Sequence, residues 1–289
     1  MDIIYRFDPA DMEASRPPES AEQAVRFLEE GNRRYQNIVR RVQTEVVDAE
    51  DSDTVVIPNR PLSLGFALAP GQSPAQNPFA VFLGCADARA PVEVIFDQSL
   101  NRLFTVRVAG NVLGAECLGS IEYAVRNMPG GLRLVVVLGH TGCGAVGAAV
   151  SLYLNIDAYM SVVKSSSLRS IVDRILMVVR AADQSLHQVV GPDVSQDPGY
   201  RDALWEMSVY LNAALTASDL VRELQPASAE QPVKVVFGIY DLATQAVMAT
   251  PGASNAFRSA PLTTEEYKDI TRELAISIRD RGILARSGR

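Results

Sequence analysis

Residues 139–147, GHTGCGAVG, admit two chemistries. Gly142, Gly144 and Gly147 stand at the spacing G-x-G-x-x-G, which at a strand–turn–helix junction lets the backbone approach a dinucleotide pyrophosphate. The same stretch carries His140 and Cys143, three residues apart, as donors for a metal. A second loaded stretch lies upstream. CADAR, residues 85–89, offers the thiol of Cys85, the carboxylate of Asp87 and the guanidinium of Arg89. The chain has two histidines and three cysteines in all, and one histidine and two cysteines fall in these two stretches. Two thiolates and one imidazole suit zinc and leave a fourth position open. A carboxylate at Asp87 can accept a hydrogen bond from water at that position, and Arg89 can hold the carboxylate bidentately and off the metal. If that hold slips, Asp87 becomes a fourth ligand and shuts the site. The plainer reading of Asp87 and Arg89 is a surface ion pair.

The elements that must position these residues can be read from apolar runs. Residues 79–84 (FAVFLG), 103–108 (LFTVRV), 132–138 (LRLVVVL) and 233–239 (VKVVFGI) are short, rich in Val, Phe and Leu, and mostly without alternation. That pattern belongs to parallel strands covered on both faces. Helices fall between them: a short one over 91–97 with Pro91 in its first turn, one over 115–127, one from Gly144, and two over 167–182 and 200–224. Strands alternating with helices predict an α/β fold, with a mainly parallel sheet of four to five strands flanked by helices. Ligands of such sheets bind beyond the carboxyl ends of the strands. The first strand runs into Cys85 and the third into His140, so Cys85, His140 and Cys143 should meet at one sheet edge. A dinucleotide fingerprint also needs a full helix, a second strand and an acid about 20 residues on. Asp157 comes ten residues after Gly147, too near for a crossover helix and a strand. The spacing therefore favours a metal, with the glycines serving the turn.

Three regions are expected: a flexible arm over 1–18, an α/β domain over 19–250 and a helical extension over 251–289. The domain opens with a helix over 19–35 whose apolar face carries Ala21, Val25, Leu28 and Tyr35, with Gly31 as a weak spot. Residues 42–54 read as an acid-rich surface loop. In the extension, Thr263 and Glu266 form a capping box, and Tyr267, Ile270, Leu274 and Ile278 form an apolar face. That face should cover the body or a neighbouring subunit. His187 reads as a surface histidine, and Cys117 and Trp205 as packing.

A formal charge of −7 and a pI of about 5.0 argue against a nucleic-acid or anionic-membrane binder, which would present a basic face. Three cysteines in a chain of this length do not make a disulfide framework, and fit a reducing compartment. The first residues lack the apolar core of a signal peptide. No stretch approaches the roughly 20 apolar residues of a membrane span. A cytoplasmic protein is expected.

CADAR with HTGC (140–143) resembles the β-class carbonic anhydrases. AEQAVRFLEEGNRRY (21–35), GQSP (71–74), PVEVIFDQ (91–98), LFTVRVAGN (103–111), GSIEYAV (119–125) and VKVVFGIYDLATQAV (233–247) follow in the family's order. The likeness covers roughly residues 20–250. It implies one zinc per chain on Cys85, His140 and Cys143, and a lyase that interconverts carbon dioxide and bicarbonate. Zinc-bound hydroxide would attack carbon dioxide, with Asp87 and Arg89 orienting and gating the fourth position. Gln72, Gly144, Phe104 and Tyr123 match substrate-binding positions. A homodimer or a dimer of dimers follows, with the site near the dimer interface. The same scaffold also serves hydrolases of carbonyl sulfide or carbon disulfide, and a non-catalytic zinc-binding relative is a further alternative.

Overall fold

The apolar runs become the strands of one sheet. In the computed structural model, which describes residues 2–7, 17–47, 54–59, 71, 75–99, 101–128, 131–155, 157, 165–224 and 233–284, β3 (Ala80–Gly84), β4 (Leu103–Arg107), β5 (Leu134–His140) and β6 (Lys234–Tyr240) lie in the order β4-β3-β5-β6. All three pairings are parallel. The short β7 (Val247–Met248) and β8 (Arg258–Ser259) add antiparallel to the free edge of β6.

Every residue of β3 and β5 is buried, which is why their sequences do not alternate. Their side chains do alternate, between two cores. Val81, Leu83, Val135, Val137, Phe237 and Ile239 join the core that holds Ile121, Val146, Ile175, Leu204 and Leu274. Those five come from α3 (Ala115–Asn127), α4 (Gly144–Leu154), α5 (Ser166–Val190), α6 (Tyr200–Leu224) and α7 (Thr264–Asp280). Ala80, Phe82, Leu134, Val136, Leu138 and Val236 face the other core, with Leu28 of α1 (Ala21–Val47) and Ile95 of α2 (Val92–Ile95). A strand apolar at every position is the sequence cost of helices on both faces.

Three elements differ from the sequence expectation. The first helix runs on to Val47, through part of the stretch read as a loop. Its Gly31 is a point of close approach rather than a weak spot: a Cβ there would sit 1.8 Å from the Phe96 carbonyl oxygen. Next to it, buried Asn32 donates to the carbonyls of Ile95 (3.1 Å) and Gln245 (2.9 Å) and accepts from the Val247 amide (3.0 Å). Helix α1 is thereby tied to the end of α2 and to the turn after β6. Residues 2–7, within the expected flexible arm, form β1 (Asp2–Phe7) in parallel register with β2 (Thr54–Asn59). Both segments are rich in β-branched and aromatic residues, but neither names its partner in the sequence.

The capping box of α7 forms as expected, between Thr263 and Glu266. Its apolar face covers this chain's own body rather than a neighbouring subunit. Ile270, Leu274 and Ile278 are buried in the larger core, Ser185 donates to the Thr271 carbonyl, and the Tyr267 hydroxyl donates to the Leu211 carbonyl. Among the described residues no helix is long and apolar enough to cross a membrane.

Candidate metal centre

Parallel register decides where the donors fall. Gly84, the last residue of β3, stands opposite Leu138 of β5. Strand β3 stops there and releases Cys85. Strand β5 runs two residues further, to His140, which pairs with Tyr240 of β6. The chain then turns through Thr141 and Gly142, whose φ of +66° lies in the left-handed region that glycine adopts without strain. The turn delivers Cys143 as the residue that starts α4. The donor atoms of Cys85, His140 and Cys143 all lie within 4.8 Å of one another, and all three residues are buried.

The set fits zinc. The two sulfurs are 4.0 Å apart, far beyond a disulfide bond of about 2.05 Å. Two sulfurs at about 2.3 Å from a tetrahedral zinc would stand about 3.8 Å from each other. His140 is 1% exposed, and its Nε2 has no hydrogen-bond partner. Its Nδ1 lies 3.0 Å from the Thr141 carbonyl oxygen, an acceptor, so Nδ1 carries the proton and Nε2 presents its lone pair. A buried acceptor left unmatched is costly, and a metal answers it. The thiols also wait for a cation. The neighbouring Cys143 thiol pulls the Cys85 thiol down against the effect of burial. The Cys85 sulfur and burial in turn push the Cys143 thiol far up. Each sulfur opposes a second negative charge beside it, and a bound cation relieves that opposition. Burial opposes a charged His140, but the Cys85 thiolate outweighs it and raises the imidazole pKa.

Asp87 and Arg89 take up the fork that the sequence suggested. Arg89 donates from its backbone amide (2.9 Å) and Nε (3.0 Å) to Asp87 Oδ1, and from Nη2 (2.7 Å) to Oδ2. Those hydrogen bonds hold the Asp87 carboxyl well below the usual carboxylate range. Its Oδ2 stands 3.8 Å from His140 Nε2, beside the donor cluster but outside it.

Gly144 is the exposed first residue of α4, and nothing lies within 4 Å of where its Cβ would be. Gln72 lies outside the described residues. One chain does not bring Phe104 or Tyr123 to the cluster. Phe104 pairs with Val81, four residues before Cys85, or roughly 13 Å along the strand, and packs against the larger core. Tyr123 is 55% exposed on α3. Cys117 packs against the core as expected. His187 is half-buried and pairs with Asp183. That carboxylate also accepts from Tyr153, near the far end of α4 from the cluster.

Three supporting residues escaped the sequence reading. Arg107, at the end of β4, donates to the carbonyls of Cys85 (2.8 Å) and Asp87 (2.5 Å) and so fixes the CADAR loop. Trp205, read only as packing, donates from Nε1 to the Cys143 carbonyl (3.0 Å), and its ring lies 2.9 Å from where a Cβ of Gly147 would be. Asp241 accepts from the Thr141 hydroxyl (3.1 Å), which itself accepts from the Leu242 amide (3.0 Å). A sequence trace of these contacts is Gly147, whose missing side chain makes room for Trp205 and which the dinucleotide spacing also contains.

The family model described as carbonic anhydrase matches residues 80–247, more than half of the chain. Carbonic anhydrase 2 of Mycobacterium tuberculosis is 53% identical over 83 residues, 28% of this chain and 38% of that protein. The carbonic anhydrase of Mycolicibacterium smegmatis is 41% identical over 128 residues, 44% of this chain and 59% of the relative. These matches thus span well under two thirds of the length of either protein. A Coccomyxa β-carbonic anhydrase, solved with acetazolamide, superposes with a TM-score of 0.52 at 20% identity, over 86% of this chain and 90% of that one; this likeness speaks to the fold. With the family match covering both metal-donor stretches, and the fold of a β-class member shared over 86% of this chain, the chain belongs to the carbonic anhydrase family.

Proposed function

We propose that the chain is a zinc lyase that reversibly hydrates carbon dioxide to bicarbonate and a proton, with one zinc per chain held by Cys85, His140 and Cys143. The observation that carries this reading is the donor cluster itself, with the Asp87–Arg89 fork standing beside it, 3.8 Å from the orphaned His140 Nε2. Zinc, when bound, supplies Lewis acidity that makes hydroxide available near neutral pH.

The chain's own residues do the rest. Asp87, kept ionised by Arg89, accepts a hydrogen bond and orients an incoming water. Arg89 occupies both carboxylate oxygens and so keeps Asp87 from becoming a fourth ligand. Gly144, at the positive end of α4, turns an open face toward the developing bicarbonate charge. Arg107 holds the two carbonyls of the loop that carries Cys85 and Asp87. Three free cysteines support a reducing, cytoplasmic setting. A homodimer belongs to the same reading. Strand β4 is a sheet edge with half-exposed side chains, Tyr123 is exposed on the neighbouring α3, and unpaired edges call for cover.

Arg89→Ala tests the gate. Zinc content should stay near one per chain while carbon dioxide hydration falls on the order of 100-fold, the scale of losing one oriented charge contact in a site. Full activity in that variant would remove the fork from the mechanism. Sulfide release from carbonyl sulfide, without carbon dioxide hydration, would move the chain to the hydrolase alternative.

A further inference from the structure

A cavity of about 530 Å³ lies on the β6 side of the metal loop. Thr141 and Gly142 form part of its wall, and neither the three donors nor Asp87 and Arg89 line it. Its chemistry is distinctive. Asp202, Glu206 and Asp241 bring three carboxylates, against one guanidinium from Arg281. That guanidinium is already committed to Glu206, at 2.5 Å. Asp202 has no partner among the described residues.

Tyr210 is the second and independent observation. It is 2% exposed, lines the cavity, and its hydroxyl has no partner among the described residues. Burial first, then the charge of Glu206, raises its pKa, while Arg281 opposes and Asp241 adds to the rise. Those three charged groups all line the cavity, as Tyr210 itself does. The hydroxyl is not sealed from solvent, so a group that enters the cavity can answer it. Trp205 supplies an aromatic wall, with Met248 and Val209 beside it.

An anion here would meet three carboxylates. A neutral apolar molecule would leave Asp202 and the phenol unanswered, Glu206 being held by Arg281 and Asp241 by Thr141, Ala243 and Thr244. An ammonium group offers N–H donors to the free Asp202 carboxylate and to the tyrosine oxygen, within the field of Glu206 and Asp241, while an apolar body packs on Val209, Met248 and the indole. We propose that this cavity is a binding site for a small organic ammonium ion carrying an apolar or aromatic body. Its occupant would touch the two supports of the metal loop, Trp205 on the Cys143 carbonyl and Asp241 on the Thr141 hydroxyl.

Trp205 is the only tryptophan in the chain, so indole emission reports on the cavity directly. The zinc-loaded full chain is titrated with benzylammonium, with benzyl alcohol and benzoate as controls of the same shape. Benzylammonium should give a saturable change in emission, and the two controls should give none over the same range. Asp202→Asn and Tyr210→Phe should each raise the Kd roughly threefold to tenfold, the scale of one modest polar contact. Asp202 is exposed, so its variant reads binding even if the buried Tyr210 substitution unfolds the chain. No saturable response, an equal response to benzyl alcohol, or an unchanged Kd in a folded Asp202→Asn chain would overturn the proposal. The signal is binding, not turnover, and stands whether or not the chain hydrates carbon dioxide.

Discussion

At the scale of single residues, the metal loop is held by atoms that are not themselves donors. Trp205 Nε1 reaches the carbonyl of Cys143, and Trp205→Phe keeps an aromatic side chain while losing that bond and part of the packing on Gly147. Partners of metal ligands typically change affinity by 10- to 100-fold. Because this bond ends on the ligand's backbone, about tenfold weaker zinc binding is expected, read by competition with a chelator. Unchanged zinc affinity would reduce Trp205 to a packing residue. The residues that carry the proposed chemistry were legible because their types are scarce and their spacing is tight. Cys85, Asp87, Arg89, His140 and Cys143 all stand within two short stretches. Arg107 and Trp205 were not legible, because each acts on a backbone carbonyl. A carbonyl is the same at every position and leaves no mark on the residue that bears it. Phe104 and Tyr123, matched by resemblance, stand apart from the cluster in one chain.

At the scale of elements, the sheet places the site through register. Two extra residues on β5 carry His140 past the end of β3. The strands and the helices between them could be read because burial on both faces writes itself as apolar runs. The strand pair β1 and β2 could not, because each strand is defined by a partner about fifty residues away. The length of α1 was under-read for a related reason. No residue over 33–44 is buried, so its second half has no core-facing stripe for the sequence to show; the close contact of α1 lies earlier, at Gly31. Gly31→Ala measures that contact. Helix propensity alone would favour alanine by about 1 kcal/mol, whereas a Cβ 1.8 Å from the Phe96 carbonyl oxygen forces the helix away from α2. A net loss of roughly 1–3 kcal/mol is expected, read from the midpoint of denaturant unfolding. A gain in stability would mean that α1 does not approach α2 so closely.

At the scale of the whole molecule, α7 settles onto α5 and α6 and extends the larger core, so the chain's last described helix is cover for its own body. Among the described residues β4 is an unpaired edge strand of the sheet, with α3 beside it. Light scattering on the eluting full chain should give a mass of two or four copies of the 31.3 kDa chain. A single-copy mass across micromolar concentrations would contradict the assembly proposed here. The central claim, that this donor cluster carries zinc and hydrates carbon dioxide, is met most directly by stopped flow. Purified protein, assayed for zinc on the same sample, is mixed with carbon dioxide and proton release is followed. About one zinc per chain is expected, with proton release far faster than the uncatalysed reaction and in proportion to enzyme. Full zinc with no acceleration would contradict that claim.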